Sequence, residues 1–134
     1  MAEKDKNLAV LYVDDERKSL KMFQLLCQDQ FRVMTASTAH QGLALLNKHE
    51  DEIGVIVADR CMAGPTGIWL LHRARQLHPR VVRLLASDGC NPAAEEASLR
   101  DGTAQGMISI PWEPAELKKR LRIELERVQE GRGR

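Results

Sequence analysis

The sequence lacks a long apolar run, a surplus of either charge and a cysteine motif, and each absence removes a class of protein. The apolar run nearest the N-terminus, residues 8–13, is too short for a signal-peptide core or a membrane span. Twenty basic and nineteen acidic side chains leave a formal charge of +1, so no overall field attracts nucleic acid or an anionic membrane. The three cysteines, Cys27, Cys61 and Cys90, include no C-x-x-C pair and have no histidine at zinc-ligand spacing. We therefore expect a cytoplasmic protein with reduced thiols that contacts neither nucleic acid nor membrane.

What the sequence does contain is an alternation of two kinds of segment. Its 134 residues, 43% of them hydrophobic, have room for one domain with a full core. Strands are predicted at residues 8–13, 31–36, 53–58, 81–86 and 107–110, and the segments 8–13 and 53–58 are continuous apolar runs typical of strands buried on both faces. Segments with helical spacing or helix-capping residues follow them, at 17–28, from 37 or 38 to 48, at 68–77, 91–102 and 113–128. Five such alternations predict a doubly wound α/β domain, with helices on both faces of a parallel sheet.

The alternation also sets the expected domain limits. We expect an N-terminal extension at residues 1–7, one domain at 8–128, and a polar tail or the start of a linker at 129–134. Down one side of the last helix run four apolar residues: Leu117, Leu121, Leu125 and Val128. Because this stripe is longer than one helix docking on a sheet needs, it predicts an association surface.

Carboxylates follow two of the predicted strands. Asp14 and Asp15 end the first strand, and Asp59 ends the third. One such residue alone would be explained by a helix N-terminus or a loop cap. Three gathered at the carboxyl edge of one sheet would repel each other unless a cation joined them. Hard oxygen ligands suit Mg²⁺ or Mn²⁺ rather than zinc, so we predict a site for one of these ions.

These positions resemble the receiver family of two-component response regulators, from about residue 8 to residue 128. Receivers have an acidic pair after the first strand, here Asp14-Asp15, and a phosphoacceptor after the third, here Asp59 in Val-Ala-Asp-Arg-Cys-Met-Ala-Gly. A Ser or Thr follows their fourth strand, here Ser87 in Leu-Leu-Ala-Ser. The resemblance implies a flavodoxin-like (βα)5 fold, a five-stranded parallel sheet in the order 2-1-3-4-5.

The resemblance also implies a function in phosphorelay signalling. A histidine kinase or phosphotransfer protein would pass a phosphoryl group to Asp59, with Mg²⁺ or Mn²⁺ held by Asp14, Asp15, Asp59 and the backbone carbonyl of Cys61. Ser87 would donate a hydrogen bond to a phosphoryl oxygen. Such a domain is not an enzyme beyond slow self-phosphorylation and autodephosphorylation. Its further partners would be an output domain or a second copy of the chain.

The sequence departs from the family pattern at three places. The family lysine falls on Ile110 in Ile-Pro-Trp-Glu-Pro, so the usual cation beside the acceptor is missing. Three positions earlier, where many receivers have a switching Tyr or Phe, the chain has Met107. The family's Met-Pro-Gly appears as Met62-Ala63-Gly64. The first two departures affect signalling more than folding.

Three other functions stay open at this point. A degenerate receiver that acts as a phosphorylation-independent interaction module is the first alternative, and Ile110 and Met107 are its evidence. A phosphatase of the haloacid dehalogenase type is disfavoured because Asp14-Asp15-Glu16 lacks D-x-D-x-[TV] spacing. A flavodoxin-like cofactor carrier is disfavoured because the first strand ends in carboxylates rather than in a loop that could hold a phosphate.

Overall fold

The computed structural model describes residues 8–62, 64 and 66–132, and in this part of the chain five strands alternate with five helices. The strands are β1 (Ala9–Val13), β2 (Arg32–Ala36), β3 (Ile53–Asp59), β4 (Val82–Ser87) and β5 (Gly106–Ser109). The helices are α1 (Arg17–Cys27), α2 (Ala39–Lys48), α3 (Gly67–Leu77), α4 (Pro92–Arg100) and α5 (Pro114–Arg132). No helix among the described residues is both long enough and apolar enough to cross a membrane.

The strands form one parallel sheet in the order β2-β1-β3-β4-β5, which confirms the predicted fold class and strand order. The register decides which side chains meet at its carboxyl edge. Val13 of β1 is level with Ala58 of β3, so Asp14 and Asp59 follow side by side. Asp59 is in turn level with Ala86 of β4, which places Ser87 one residue further along the neighbouring strand.

Alternating side chains of the central strands fill two separate cores, one on each face of the sheet. On one face, Leu11, Ile56 and Leu85 pack with apolar residues of α2 and α3, among them Leu46 and Leu70. The other face has α1 and α5 packed against it, and its core is defined by Val10, Tyr12, Val55, Val57, Leu84, Phe23 and Leu121. Strands β1 and β3 are therefore buried on both faces, as their continuous apolar runs predicted, whereas the edge strands β2 and β5 are partly exposed.

The prediction that the apolar stripe of α5 forms an association surface is wrong. Leu117, Leu121, Leu125 and Val128 are all buried in the core that α5 shares with α1 and the sheet. Helix α5 also continues past residue 128 to Arg132, so residues 129–132, which were expected to belong to the tail, extend the helix instead. The expected N-terminal extension, residues 1–7, and the last two residues of the expected tail lie outside the described residues.

Helix α4 differs from the other helices because its buried side chains are polar. Glu95 and Ser98 are its buried residues, and they carry a carboxylate and a hydroxyl instead of apolar groups. The Asn91 side chain caps the helix by accepting from the N–H of Ala94, with Pro92 at the first turn, as the sequence predicted. Hydrogen bonds and charge, more than apolar burial, therefore attach α4 to the domain.

Candidate metal site and its surroundings

Asp14, Asp15 and Asp59 come together at the carboxyl edge of the sheet. Each offers a carboxylate oxygen, and these oxygens lie within 4.8 Å of one another. Such an oxygen cluster suits a hard divalent cation that keeps open positions for other ligands. The residues present thus fit Mg²⁺ or Mn²⁺. The predicted fourth ligand, the backbone carbonyl of Cys61, stays a prediction.

Asp14 is held by contacts on both of its carboxylate oxygens. The Tyr12 hydroxyl donates to Oδ2 at 2.6 Å, and the backbone N–H of Glu16 donates to Oδ1 at 2.9 Å. Tyr12 is itself fixed by a stacked contact with Phe23 and an edge contact with Trp112, at centroid distances of 4.4 and 5.4 Å. Burial and the bond to Asp14 raise the pKa of Tyr12 well above its usual value, so it remains a donor. The aromatic cluster therefore orients a buried carboxylate that is only 3% exposed.

Asp59 is the last residue of β3, and the start of α3 packs closely behind it. A Cβ atom on Gly67 would overlap the carbonyl oxygen of Asp59, so only glycine allows this approach. The Thr66 side chain caps α3 by accepting from the N–H of Trp69 at 3.1 Å. The backbone N–H of Cys61 donates to the Asp59 carboxylate. Strand end, helix cap and close packing together fix where Asp59 stands.

Partial burial and neighbouring carboxylates raise the pKa of Asp59 from 3.8 to about 7. Burial is the largest cause, followed by the negative charges of Asp14, Asp15 and Asp88, while the Cys61 N–H opposes them. Burial and the neighbouring carboxylates thus disfavour the ionised form of Asp59, and a bound cation would oppose both effects. Asp88 was not among the residues singled out from the sequence.

Ser87 stands at the end of β4, and its hydroxyl donates to Glu95 Oε2 of α4. The same oxygen lies 3.3 Å from Nε of Arg60, the residue that follows Asp59. Glu95 is 3% exposed, so this ion pair is largely withdrawn from water. Arg60 and Glu95 were not predicted as site residues. The sequence offered one signal for Arg60, namely that it is a basic residue directly after Asp59. It offered none for Glu95, which is brought next to Ser87 only by tertiary packing.

Ile110 and Met107 flank the same region from β5. The N–H of Ile110 donates to the Ser87 carbonyl at 2.8 Å, which continues the β4–β5 pairing one residue beyond the strand. Its side chain is half-buried against the α1–α5 core. Met107 is 37% exposed. Both residues line a cavity of about 210 Å³ that also contacts Ser87 and Glu95.

Comparison with known sequences gives a match along most of the chain. The family described as response regulator receiver domain matches residues 10–122. A curated relative, the hydrogenase transcriptional regulatory protein HoxA of Cupriavidus necator, is 32% identical over 122 residues. That alignment covers 91% of this chain and 25% of the relative. The chain thus spans about a quarter of the length of the curated relatives it matches.

Solved structures resemble the fold over nearly its whole length. The signal receiver domain of an HD domain-containing protein from Pseudomonas fluorescens has a TM-score of 0.87 and 25% identity, covering 96% of this chain and 94% of that one. The chemotaxis protein CheY4 of Vibrio cholerae has a TM-score of 0.77 and 27% identity, covering 86% and 97%. The structural comparison and the sequence comparison therefore indicate the same family.

Proposed function

The chain is a receiver domain of the two-component response-regulator family, and from this premise we propose that Asp59 accepts a phosphoryl group with the help of a divalent cation. The observation that carries the proposal is the meeting of Asp14, Asp15 and Asp59 at one sheet edge. Structural ion-pair networks seldom consist of carboxylates alone, because like charges repel. Three carboxylate oxygens within 4.8 Å of one another are instead suited to a bound divalent metal.

Asp14, Asp15 and Asp59 would hold Mg²⁺ or Mn²⁺, together with the Cys61 carbonyl. The cation would neutralise charge on the phosphoryl oxygens and stabilise Asp59 as a carboxylate. This second effect matters because a pKa of about 7 leaves a large fraction of Asp59 protonated near neutral pH. A protonated carboxyl is a poor nucleophile, so labelling should require the cation.

The transfer itself exchanges one bond to phosphorus for another. One carboxylate oxygen of Asp59 attacks the phosphorus of a phosphohistidine in line with the P–N bond. As the new P–O bond forms, the P–N bond breaks, and the imidazole leaves with the electron pair and takes a proton from water. This chain needs no general base, because its nucleophile is already an anion.

We propose that the phosphoryl donor is a histidine kinase or a phosphotransfer protein. The phosphorylated domain would then act on an output domain or on a second copy of the chain. The curated relatives support an output domain, since they are about four times longer than their match to this chain. Met107, at the exposed face beside Ser87, is proposed to take part in the structural response. The flexible thioether side chain of Met107 would repack at the position where many receivers have an aromatic ring that rotates.

The test is incubation with acetyl phosphate and Mg²⁺, read by intact mass. We expect one phosphoryl adduct in the wild type, none in Asp59→Asn, and none when the metal is chelated. Asp51→Asn, a change at another carboxylate just before β3, is the matched control and should label like the wild type. Failure of the wild type to label with any donor would favour the interaction-module alternative based on Ile110 and Met107.

A further inference from the structure

Without the family lysine, the phosphoryl group proposed at Asp59 has no cation on the β5 side. The side chain of Ile110 contains only carbon and hydrogen atoms and cannot donate a hydrogen bond to a phosphoryl oxygen. A phosphorylated aspartate carries up to two negative charges in addition to the carboxylates around it. The bound metal alone would have to balance these negative charges unless another side chain supplies a positive charge.

Arg60, the residue directly after Asp59, is placed to contribute, because it contacts the same Glu95 oxygen as Ser87. Its Nε is buried and forms no aligned hydrogen bond among the described residues, although Glu95 Oε2 is 3.3 Å away. A buried guanidinium nitrogen without a hydrogen bond is costly, which suggests that it has a partner in another state of the protein. The Arg60 charge also helps to lower the pKa of Asp88, a neighbour of Ser87.

Glu95 contacts both Arg60 and Ser87, the residue expected to contact the phosphoryl group. One oxygen of Glu95 accepts from the Ser87 hydroxyl and faces Arg60. If Ser87 turned to a phosphoryl oxygen, Glu95 would lose that donor while a new anion appeared nearby. A guanidinium has five N–H donors in a fixed fork, so it can hold a carboxylate and a phosphoryl oxygen together.

We propose that Arg60 supplies to the phosphoryl group on Asp59 the cation that Ile110 cannot supply, and that Glu95 holds both Arg60 and Ser87 before phosphorylation. This inference rests on the proposed function. Loss of the Ser87 hydrogen bond also affects α4, because Glu95 is one of the two buried side chains of that helix. Phosphorylation thereby weakens the attachment of α4 to the domain.

The first test compares initial labelling rates with acetyl phosphate and saturating Mg²⁺. We expect Arg60→Gln to label at least tenfold more slowly than the wild type, and Arg60→Lys to recover most of the rate. Ile110→Lys should restore labelling in the Arg60→Gln background, because it returns a cation from the β5 side. Glu95→Gln should label severalfold faster, since it frees both Ser87 and Arg60.

Two controls separate the charge effect from damage to the fold. Arg60→Gln leaves Glu95 buried without its cation, which can destabilise the domain. The double variant with Glu95→Gln removes both charges, and we expect it to label as slowly as Arg60→Gln alone. Arg100→Gln, which breaks an exposed pair with Glu96 on the same helix, should label like the wild type.

A second readout follows Arg60 directly. In ¹⁵N-labelled protein, the Nε–H resonance that disappears in Arg60→Gln should move on phosphorylation, as that group gains an acceptor. Suppose that the wild type is labelled at Asp59, that the resonance does not move, and that the folded wild type and both Arg60→Gln variants label at equal rates. This result would overturn the role of Arg60 but not the proposed function. No labelling of the wild type would overturn the proposed function as well.

Discussion

Removing the Asp59 charge should stabilise the metal-free protein at high pH and leave its stability nearly unchanged at low pH. The pKa of Asp59 is raised in the fold, so the folded state binds its proton more tightly than the unfolded chain does. Stability is therefore lost as the pH rises from about 4, the unfolded pKa, toward the folded pKa. In Asp59→Asn this loss cannot occur.

The size of the effect follows from the shift. A rise from 3.8 to about 7 corresponds to an upper limit of ~4 kcal/mol in the free energy of unfolding. Asp59 is only partly buried, and solvent screening reduces this figure to ~1–2 kcal/mol. We thus expect Asp59→Asn to be more stable than the wild type by that amount at pH 8 and by little at pH 4.5.

Urea unfolding in EDTA, followed by circular dichroism at both pH values, measures the difference. Asp101→Asn is the opposite control: the hydrogen bond from Thr103 lowers the pKa of Asp101, so its loss should destabilise the protein at pH 8. Saturating Mg²⁺ should cancel the advantage of Asp59→Asn, because the variant loses a ligand. An equal stability difference between Asp59→Asn and the wild type at the two pH values would refute the reasoning.

Three further substitutions test neighbouring parts of the site. Ile110→Lys should raise Mg²⁺-dependent labelling severalfold in intact-mass assays, because it adds a charge-assisted hydrogen bond to the one proposed for Arg60. An unchanged rate, together with no rescue of Arg60→Gln, would mean that position 110 does not face the phosphoryl group. Gly67→Ala should cost ~1–3 kcal/mol in urea unfolding and weaken Mn²⁺ binding, since its Cβ overlaps the Asp59 carbonyl. Tyr12→Phe removes the 2.6 Å bond to Asp14 and should cost ~1 kcal/mol, whereas unaltered stability would show that water replaces the hydroxyl.

The fold followed from the sequence because two kinds of local signal agreed. Strands β1 and β3 are short, continuous apolar runs, which is what burial on both faces requires, and capping residues such as Thr38 and Asn91 mark helix starts. The metal cluster was predictable for a related reason: parallel strands bring their carboxyl ends to one edge, so Asp14 and Asp59 had to meet there. Strand order came from the resemblance, and the structure agrees.

Two features depend on tertiary packing and could not be read from spacing. The stripe that includes Leu121 indicated an apolar face on α5 but not its depth of burial, which depends on how far α1 and the sheet cover that helix. The ion pair of Arg60 with Glu95 joins the end of β3 to α4, and a buried glutamate in a helix of mixed polarity has no periodic signature. Ser87, at the end of β4, contacts the same Glu95 oxygen.

The central claim is that Asp59 accepts a phosphoryl group in a metal-dependent reaction, and one measurement tests it at the residue itself. The protein is incubated with acetyl phosphate and Mg²⁺, treated with borohydride to convert aspartyl phosphate to homoserine, digested, and analysed by tandem mass spectrometry. The account predicts homoserine at position 59, and none there when EDTA replaces Mg²⁺. Conversion at Asp14, Asp15 or Asp88 instead of Asp59, or conversion at 59 that is independent of metal, would contradict it.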